Sequence, residues 1–513
     1  MIRVVVREKA VSSRESHGHQ ELSRVNKVTP LFAPKKVLGI YIQVPFCQTK
    51  CTYCNFHTGV ASRAAYAPYA RAVEREIRDW RALHAAANLE SASHLDSIEQ
   101  PSYEVVEPKK AVDITAFFQP KVDTIYLGGG TPSLFDPADL SRILEAVRSQ
   151  FACADATVLS SGARAASTSG ARAVRPSVPQ LLPGSRKTGN SGGVRRPPEM
   201  PRLLPASREC GTGASIEVTL EADPETITAE KAAAWLAAGI NRISLGAQSF
   251  HDAELKPAGR MHRREDIFSA IECLRSTGFA NISLDLIAGL PHQTASSWQE
   301  SVEEALRLRP EHISIYLFEI DEGSRLGREL LAGGARYSAA AVPSDDAMAE
   351  SYEFACERLN RAGYDHYEIS NWALPGFRSR HNLKYWRREP YLGFGAGAHS
   401  FDGRWRWANA HDPAAYAAAI EQGRLPIEQL EEVTPKQALD EELFLGLRQL
   451  EGIDLARIEA QYGSQFNAHF KATIGARIEE LRAQGFVERA GTRVRLAPAR
   501  LAVSNEVFVA LLQ

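Results

Sequence analysis

Short apolar runs alternate with amphipathic stretches through the middle of the chain. In the amphipathic stretches, apolar residues recur every three to four positions, which is typical of helices that pack on a sheet. The pattern predicts six strands, at 37–42, 122–127, 216–221, 242–246, 282–287 and 312–317. It predicts helices at 64–83, 136–151, 229–238, 264–277 and 295–308. Strands and helices in strict alternation indicate an α/β fold with a parallel sheet, which right-handed crossovers curl into a full or partial (β/α)6 barrel.

A different pattern begins near residue 434. It predicts three helices, at 437–450, 455–462 and 466–484, and then a hairpin at 486–496. Three helices and a hairpin resemble a winged helix, a module that often binds DNA. Because no strongly basic helix accompanies it, packing or a role as a lid is favoured over DNA binding. The predicted domains are a tail at 1–35, the barrel at 36–400, a linker at 401–433 and a winged-helix-like α+β domain at 434–513.

Two stretches interrupt the barrel pattern. Residues from about 85 to 118 are polar and irregular. Residues 155–213 are rich in Ser, Arg, Gly and Pro and carry nine basic against three acidic residues. Such a composition cannot bury enough apolar surface to fold, so it predicts a disordered insertion. A solvated tether is favoured over an element that binds an acidic partner or anionic lipid.

Composition narrows the functional classes. The 513 residues have a formal net charge of −2, which gives no overall attraction to nucleic acid. The sequence contains no apolar run long enough to span a membrane, and residues 1–36 lack the apolar core of a secretory signal. Seven cysteines, three of them clustered, suit a reducing compartment better than a disulfide framework. We therefore expect a cytoplasmic protein.

The most specific chemical signal is a loop that follows the first strand and carries Cys47, Cys51 and Cys54. Three thiolates on one short loop can hold three corners of a [4Fe–4S] cluster. The fourth iron then stays open to bind a small molecule and pass it an electron. A zinc site with His57 as fourth ligand and a set of free thiols are the alternatives. The spacing between the first two cysteines fits zinc knuckles poorly, so the iron–sulfur cluster is favoured.

Polar or glycine-rich segments follow four successive strands. In a barrel these strand ends meet at one mouth, where they would face the cysteine loop. Glycines allow close approach of the backbone to a ligand, and carboxylates can hold its polar groups. The segments are 128–132 (GGGTP), 221–224 (EADP), 246–250 (GAQSF), and Asp285 with 289–291 (GLP).

These motifs occur in the order seen in radical S-adenosylmethionine (SAM) proteins of the oxygen-independent coproporphyrinogen III oxidase group. The chain resembles that family over about residues 36–513, apart from the two insertions. The resemblance implies a radical SAM barrel in which the three cysteines of the loop ligate a [4Fe–4S] cluster. It implies SAM contacts for Tyr41, Tyr53, Gly129, Gly130, Thr131, Glu221, Gln248, Arg260 and Asp285. Acidic groups suit the ribose hydroxyls or the amine of SAM, and the arginine suits its carboxylate.

Within that group the chain is more similar to the HemW heme chaperones than to the oxidases. The oxidases carry a further cysteine two residues after the third ligand, where this chain has Phe56. Residues 381–386 (HNLKYW) match the H-N-x-x-Y-W motif that is associated with heme in HemW proteins. The resemblance implies that His381 ligates heme iron and that Tyr385 and Trp386 contact the porphyrin plane. His399 is a weaker candidate ligand, and by itself the hexapeptide would more often be a packed loop.

Three functions stay open from the sequence. The resemblance favours a chaperone that binds heme as cargo and transfers it to apo-hemoproteins such as respiratory enzymes, with the cluster and SAM in support. It is compatible with a homodimer and with peripheral association with a membrane. The second function is oxidative decarboxylation of coproporphyrinogen III through a 5′-deoxyadenosyl radical. The third is radical SAM chemistry on another tetrapyrrole or small substrate, since a fold does not specify a function.

Overall fold

The computed structural model describes residues 37–93, 121–153, 215–469 and 473–512. The predicted tail, the insertion at 155–213 and most of the insertion at 85–118 lie outside that part of the chain. The strands are β1 Val37–Val44, β2 Phe46–Cys47, β3 Gly59–Val60, β4 Lys121–Gly129, β5 Glu217–Ala222, β6 Arg242–Gln248, β7 Ile282–Ala288, β8 His312–Leu317, β9 Asp365–Glu368, β10 Asn371–Ala373, β11 Tyr391–Phe394, β12 His399–Phe401, β13 Trp405–Asn409, β14 Ile427–Glu432, β15 Ile453–Asp454, β16 Val487–Ala490 and β17 Arg493–Leu496.

Helices follow most of the parallel strands. They are α1 Tyr66–Ser93, α2 Pro137–Gln150, α3 Ala229–Ala237, α4 Asp252–Leu255, α5 Arg264–Thr277, α6 Ala295–Leu308, α7 Arg325–Leu331, α8 Asp345–Arg361, α9 Arg380–Trp386, α10 Pro413–Glu421, α11 Pro435–Arg448, α12 Leu455–His469, α13 Gly475–Ala483 and α14 Ser504–Leu512. No helix among the described residues combines the length and the apolar character needed to cross a lipid bilayer.

The main sheet confirms the predicted α/β barrel. Within the described residues it has twelve strands in the order β14-β13-β12-β11-β1-β4-β5-β6-β7-β8-β10-β9. The six predicted strands are β1 and β4 to β8, and they lie side by side and parallel. Strand β11 adds a seventh parallel strand beside β1, and antiparallel strands extend both ends. The helices after β4 to β7 are the crossovers that parallel pairing requires.

The strands carry apolar residues on one face and polar residues on the other. Leu38, Ile40 and Ile42 of β1 are fully buried in a core that also contains residues of α1, α2 and α3. The alternate face is buried or half-buried and mostly polar, and several of its side chains bond to one another. These polar positions are Tyr41, Gln43, Thr124, Tyr126, Glu217, Thr219, Glu221, Arg242, Ser244, Ser283, Asp285, His312 and Ser314.

The sheet is curved so that this polar face lines an interior. Burial raises the pKa of Tyr126 on β4, and the nearby Tyr316 on β8 raises it further. Three strands separate β4 from β8 in the sheet order, so a flat sheet would keep the two rings too far apart to interact. The interior of the partial barrel is therefore a set of buried, hydrogen-bonded polar groups.

Residues 401–433, which the sequence analysis assigned to a linker, carry β13, α10 and β14. These elements extend the sheet outward from β11 and β12. In 427–432 (IEQLEE) only two residues are apolar and they stand three positions apart, a pattern that does not indicate a strand. The domain boundaries themselves stay a prediction.

The C-terminal region contains the three predicted helices, α11 to α13, and the predicted hairpin of β16 and β17. Strand β15 joins the hairpin as a third strand, and the unpredicted α14 follows it. Helix α11 packs against the barrel: the guanidinium of Arg388 donates to Glu441 at 2.7 Å, and the backbone N–H of Ile369 donates to the carbonyl of Arg448 at 3.1 Å. The region is thus a winged-helix-like domain in contact with the barrel.

Candidate metal and cofactor site

The cysteine loop is suspended by backbone hydrogen bonds at the C-terminal ends of the strands. Strand β2, which contains Cys47, pairs in parallel with β3. The N–H of Thr52 donates to the carbonyl of Ala258 at 3.0 Å, and the N–H of Leu326 donates to the carbonyl of Thr52 at 2.8 Å. The N–H of Thr131 donates to the carbonyl of Phe46 at 2.7 Å. Three distant segments therefore hold the loop over the mouth of the barrel, as the sequence predicts.

The three thiols are partly buried and close enough to influence one another. Burial raises the pKa of Cys47 to about 11, and the neighbouring Cys54 contributes to the rise. Burial also raises the pKa of Cys54, with a further contribution from Cys51. A buried thiolate is costly unless a metal compensates its charge, and a coordinating thiol is deprotonated. Three such sulfurs on one loop fit the three protein ligands of a [4Fe–4S] cluster.

The zinc alternative lacks geometric support. Within the described ranges, no three side chains of His, Cys, Asp or Glu surround a position for a single metal ion. The ring of His57 lies against the ring of His411, with the two centroids 4.3 Å apart.

Glu221 connects the glycine-rich segment to the barrel interior. Its carboxylate accepts a hydrogen bond from the hydroxyl of Tyr126 at 2.8 Å and one from the N–H of Gly129 at 2.9 Å. Burial raises the pKa of Glu221, and these two bonds act in the opposite direction. Gly130 lies so close to the cysteine loop that an added Cβ would be 2.3 Å from the carbonyl oxygen of Phe46. Glycine is therefore required there for close packing of the backbone.

Arg260 links the strand ends to the cysteine loop. Its guanidinium forms an ion pair with Asp223, donates to the carbonyl of Gly246 at 2.8 Å and lies 3.6 Å from the sulfur of Cys51. Thr131 donates to the same Asp223 at 3.0 Å. The Nε atom of Arg260 is buried without a hydrogen-bond partner in the described part of the chain, which leaves one donor for a ligand.

Asp223 was missed as a site residue by the sequence analysis, although its strand-end segment was noted. Its position two residues after Glu221 places both carboxyl groups on the same face of the strand end, because side chains alternate along a strand. The two-residue spacing between Glu221 and Asp223 could therefore have identified Asp223 from the sequence. The carboxylate that Arg260 meets in this structure is thus one of the protein's own.

The other residues predicted to contact SAM lie in two places, at the mouth of the barrel and in its interior. Gln248 lies at the mouth with a positive φ of 66°, beside Gly246 and Arg260. The ring of Tyr53 stands edge-on to Phe318, with centroids 6.3 Å apart. Tyr41 and Asp285 face the interior: the Tyr41 hydroxyl donates to Gln43 at 2.8 Å, and Asp285 accepts from Ser244 at 3.0 Å. The structure therefore places Gln248 and Tyr53 at the mouth, and Tyr41 and Asp285 in the barrel interior.

His381 lies at the opposite end of the barrel from the cysteine loop. It belongs to α9, whose first backbone N–H groups donate to Glu217, the first residue of β5. The ring is 1% exposed; its Nδ1 lies 2.9 Å from the hydroxyl of Thr124 and its Nε2 lies 3.0 Å from that of Tyr385. Tyr126 stacks on it, with centroids 5.1 Å apart. Both ring nitrogens are therefore engaged within the protein.

The rest of the hexapeptide also packs inside the structure. The Tyr385 ring meets Tyr391 edge-on with centroids 4.8 Å apart, and the guanidinium of Arg448 lies 4.4 Å from the ring centroid of Trp386. The segment forms a short helix that closes the interior at the N-terminal ends of the strands, rather than the packed loop considered from sequence. His399 begins β12, where it pairs with Ala408. Heme contact by His381, Tyr385 and Trp386 stays a prediction.

The neutral state of His381 predicts a specific loss of stability in acid. Burial first, then the charges of Lys384 and Arg242, lowers the pKa of His381 to about 3. In the unfolded chain the same ring titrates near 6.5, so below that pH the unfolded state binds a proton that the folded state does not. We expect this ring to reduce the free energy of unfolding by about 2 kcal/mol between pH 8 and pH 5. Urea unfolding at both pH values should show a decrement that is about 2 kcal/mol larger in the wild type than in His381→Asn, and equal decrements in both proteins would contradict the assignment.

Comparison with known proteins agrees with the fold and with the motifs. Residues 186–305 match the radical SAM superfamily, and residues 433–499 match the HemN C-terminal domain. The solved structure of the coproporphyrinogen III oxidase HemN from Escherichia coli, described as a radical SAM enzyme, is similar with a TM-score of 0.65 and 20% identity. That similarity covers 93% of this chain and 91% of HemN. At this level of identity it shows the shared fold alone.

Curated relatives cover most of this chain. The heme chaperone HemW of Bacillus subtilis is 29% identical over 92% of this chain and 98% of its own length. HemW of Mycobacterium tuberculosis is 30% identical over 83% of this chain and 85% of its own length. HemW of Escherichia coli is 27% identical over 71% of this chain and 69% of its own length. From this agreement along the barrel and the C-terminal domain, the chain belongs to the HemW family of radical SAM proteins.

Proposed function

We propose that this protein is a heme chaperone, which binds heme and transfers it to apo-hemoproteins. The observation that carries the proposal is the similarity over 92% of the chain to a relative named as a heme chaperone. Phe56 supports it, since it stands where the resemblance gives the oxidases a further cysteine. Its side chain is 48% exposed and contributes no ligand atom to the mouth of the barrel.

The proposal includes a [4Fe–4S] cluster on Cys47, Cys51 and Cys54 and SAM bound at the mouth of the barrel, beside the cluster. The cluster, when bound, supplies one-electron chemistry at an iron that no protein thiolate occupies. Glu221 accepts hydrogen bonds and can hold an amine or a hydroxyl. The unpaired Nε of Arg260 can donate to a carboxylate. The remaining SAM contacts are proposed for Tyr41, Tyr53, Gly129, Gly130, Thr131, Gln248 and Asp285.

The assignment of heme to the hexapeptide requires a conformational change. His381 could reach a heme iron only after its bonds to Thr124 and Tyr385 break and α9 leaves the barrel. That opening would leave buried polar groups without partners, which is costly. The hexapeptide therefore remains a proposal for a heme-loaded state, while its role in closing the barrel is visible in the structure. A cytoplasmic location, apo-hemoprotein recipients, a homodimer and peripheral membrane association also remain proposals.

Heme titration of the anaerobically reconstituted protein tests the proposed function. We expect saturable binding in the absorption spectrum and transfer of the bound heme to an apo-hemoprotein such as apomyoglobin. A parallel assay with coproporphyrinogen III, SAM and a reductant should give no protoporphyrinogen at catalytic turnover. The variant with all three cysteines replaced by alanine serves as the control without a cluster. Absence of heme binding, or turnover of coproporphyrinogen III, would overturn the chaperone assignment in favour of an enzyme.

A further inference from the structure

A cleft beside the cysteine loop shares one lining residue, Arg260, with the proposed SAM site, and its other lining residues have no role in the proposed function. It has a volume of about 530 Å³ and is bounded by residues 48–50, by residues 256–261 and by Arg325 at the start of α7. Its walls are tied together: the hydroxyl of Thr49 donates to the carbonyl of Gly259 at 3.2 Å, and Arg325 donates to the carbonyl of Lys50. The size falls within the usual range of small-molecule sites.

Three cations line this cleft without a carboxylate to neutralise them. Lys50 donates to the backbone carbonyls of Phe56 and Thr58, at 3.4 and 3.2 Å, and keeps one N–H for a ligand. Lys256 is exposed, and so is Arg325. Within the described part of the chain, none of the three has a carboxylate oxygen within 4.0 Å. Uncompensated positive charge in a concave surface attracts and concentrates anions.

Apolar side chains stand beside these cations. Val60 and Met261 line the cleft and are 63% and 52% exposed. Phe56, a few residues before Val60 in the same loop, is also exposed. Exposed apolar side chains beside cations that no carboxylate neutralises indicate a ligand that is itself apolar and anionic. The thioether of Met261 is, in addition, a group that can ligate heme iron.

We infer that this cleft is the docking site for heme, with the two propionates on Lys50, Lys256 or Arg325 and the porphyrin against Val60 and Met261. The inference rests on the proposed chaperone function and names its cargo site. It requires no opening of α9, since every group that it uses is already at the surface. It also places the cargo on the outer face of the loop that carries the cluster ligands, so cluster assembly would shape the floor of the heme site.

Charge and size favour heme over the other ligand that a basic surface could attract. An acidic electron-transfer protein would also be drawn to these cations. A stable protein interface buries about 800 Å² on each partner, whereas the volume of this cleft, about 530 Å³, is that of a small-molecule site. Heme combines two carboxylates with a flat apolar body in a single molecule that matches the cleft. Binding of an acidic electron-transfer protein is therefore treated as an alternative outcome of the experiment below.

Charge reversal at the exposed cations tests the inference. The double variant Lys256→Glu/Arg325→Glu should bind heme at least about tenfold more weakly than the wild type, because each change removes a charge-assisted contact and adds repulsion. The matched control is Lys436→Glu, an exposed position at the start of α11, which should stay within about twofold. Iron content and thermal unfolding of each variant would confirm that the fold and the cluster are intact.

The dimethyl ester of heme provides the matched ligand. It lacks the propionate charges, so its affinity should be the same for the wild type and the double variant. If the wild type binds heme and the double variant binds it equally tightly, the cleft is not the cargo site, although the chaperone function stands. If only reduction of the cluster by an acidic electron-transfer protein is impaired, the cleft serves that protein instead. Failure of the wild type to bind heme would refute the proposed function itself.

Discussion

His381→Ala is expected to lower the free energy of unfolding by about 3–5 kcal/mol. The ring is 1% exposed, so its removal leaves a cavity at the closed end of the barrel. The hydroxyls of Thr124 and Tyr385 lose their partner on Nδ1 and Nε2, and unsatisfied buried groups cost about 1–3 kcal/mol. The two effects act together because Thr124 is fully buried and cannot replace the lost bond with one to water.

Denaturant unfolding of the purified variants would measure this loss. Asn382→Ala is the matched control: Asn382 is the next residue of the hexapeptide, half-buried, and its replacement should cost less than about 1 kcal/mol. Tyr385→Phe removes only the hydroxyl that faces Nε2 and should cost about 1–2 kcal/mol, which keeps the test informative if His381→Ala does not fold. We expect the folded variants to retain heme binding at the surface cleft. Unchanged stability together with lost heme binding would instead support a direct ligand role for His381.

Gly130→Ala is expected to displace the cysteine loop. A Cβ at this position would be 2.3 Å from the carbonyl oxygen of Phe46, 2.7 Å from its carbonyl carbon and 3.0 Å from the sulfur of Cys47. The first two atoms belong to the backbone and cannot rotate away, so strand β2 must shift together with its cysteine. Overpacking of this kind costs about 1–3 kcal/mol. Because ligand geometry must be held closely for a metal group to bind, we expect the variant to retain little reconstituted cluster.

Iron content and the absorption of the reconstituted cluster would be measured beside thermal unfolding. Gly59→Ala is the control, since it lies in the strand that pairs with β2 and its Cβ would meet no atom within 4 Å. It should reconstitute like the wild type. Full cluster content in Gly130→Ala would show that the loop can move without losing its ligand geometry.

The strand pattern and the motif order were sufficient to predict the barrel and its mouth. Apolar runs before Cys47, Gly128 and Glu221 marked strands whose ends meet because parallel strands all finish at one edge. The ion pair between Asp223 and Arg260 was not predicted. The two residues are 37 positions apart, and the sequence does not show which way their side chains point. The place of His381 was also missed. Its contacts come from Thr124 and Glu217, more than 150 residues away, and a six-residue motif carries no information on them.

The polar lining of the barrel was hidden by the strand pattern itself. In β6, Ile243 packs in a core with helix residues and Leu245 is buried on the same face, while Arg242 and Ser244 face the interior. The strand therefore shows an alternating pattern of apolar and polar residues. Alternation usually indicates one face in water, whereas here both faces are buried. Only the closure of the sheet distinguishes the two cases, and closure depends on pairing between distant segments.

The manner in which the sulfur-bearing turn is anchored has a practical consequence for protein engineering. Peptide groups of Thr52, Ala258 and Leu326 hold it in place, and the main chain is the same whatever side chains project from it. Gln48, an exposed residue between the first two cysteines, can therefore be exchanged to alter the electrostatic environment of a redox group while these backbone attachments stay where they are.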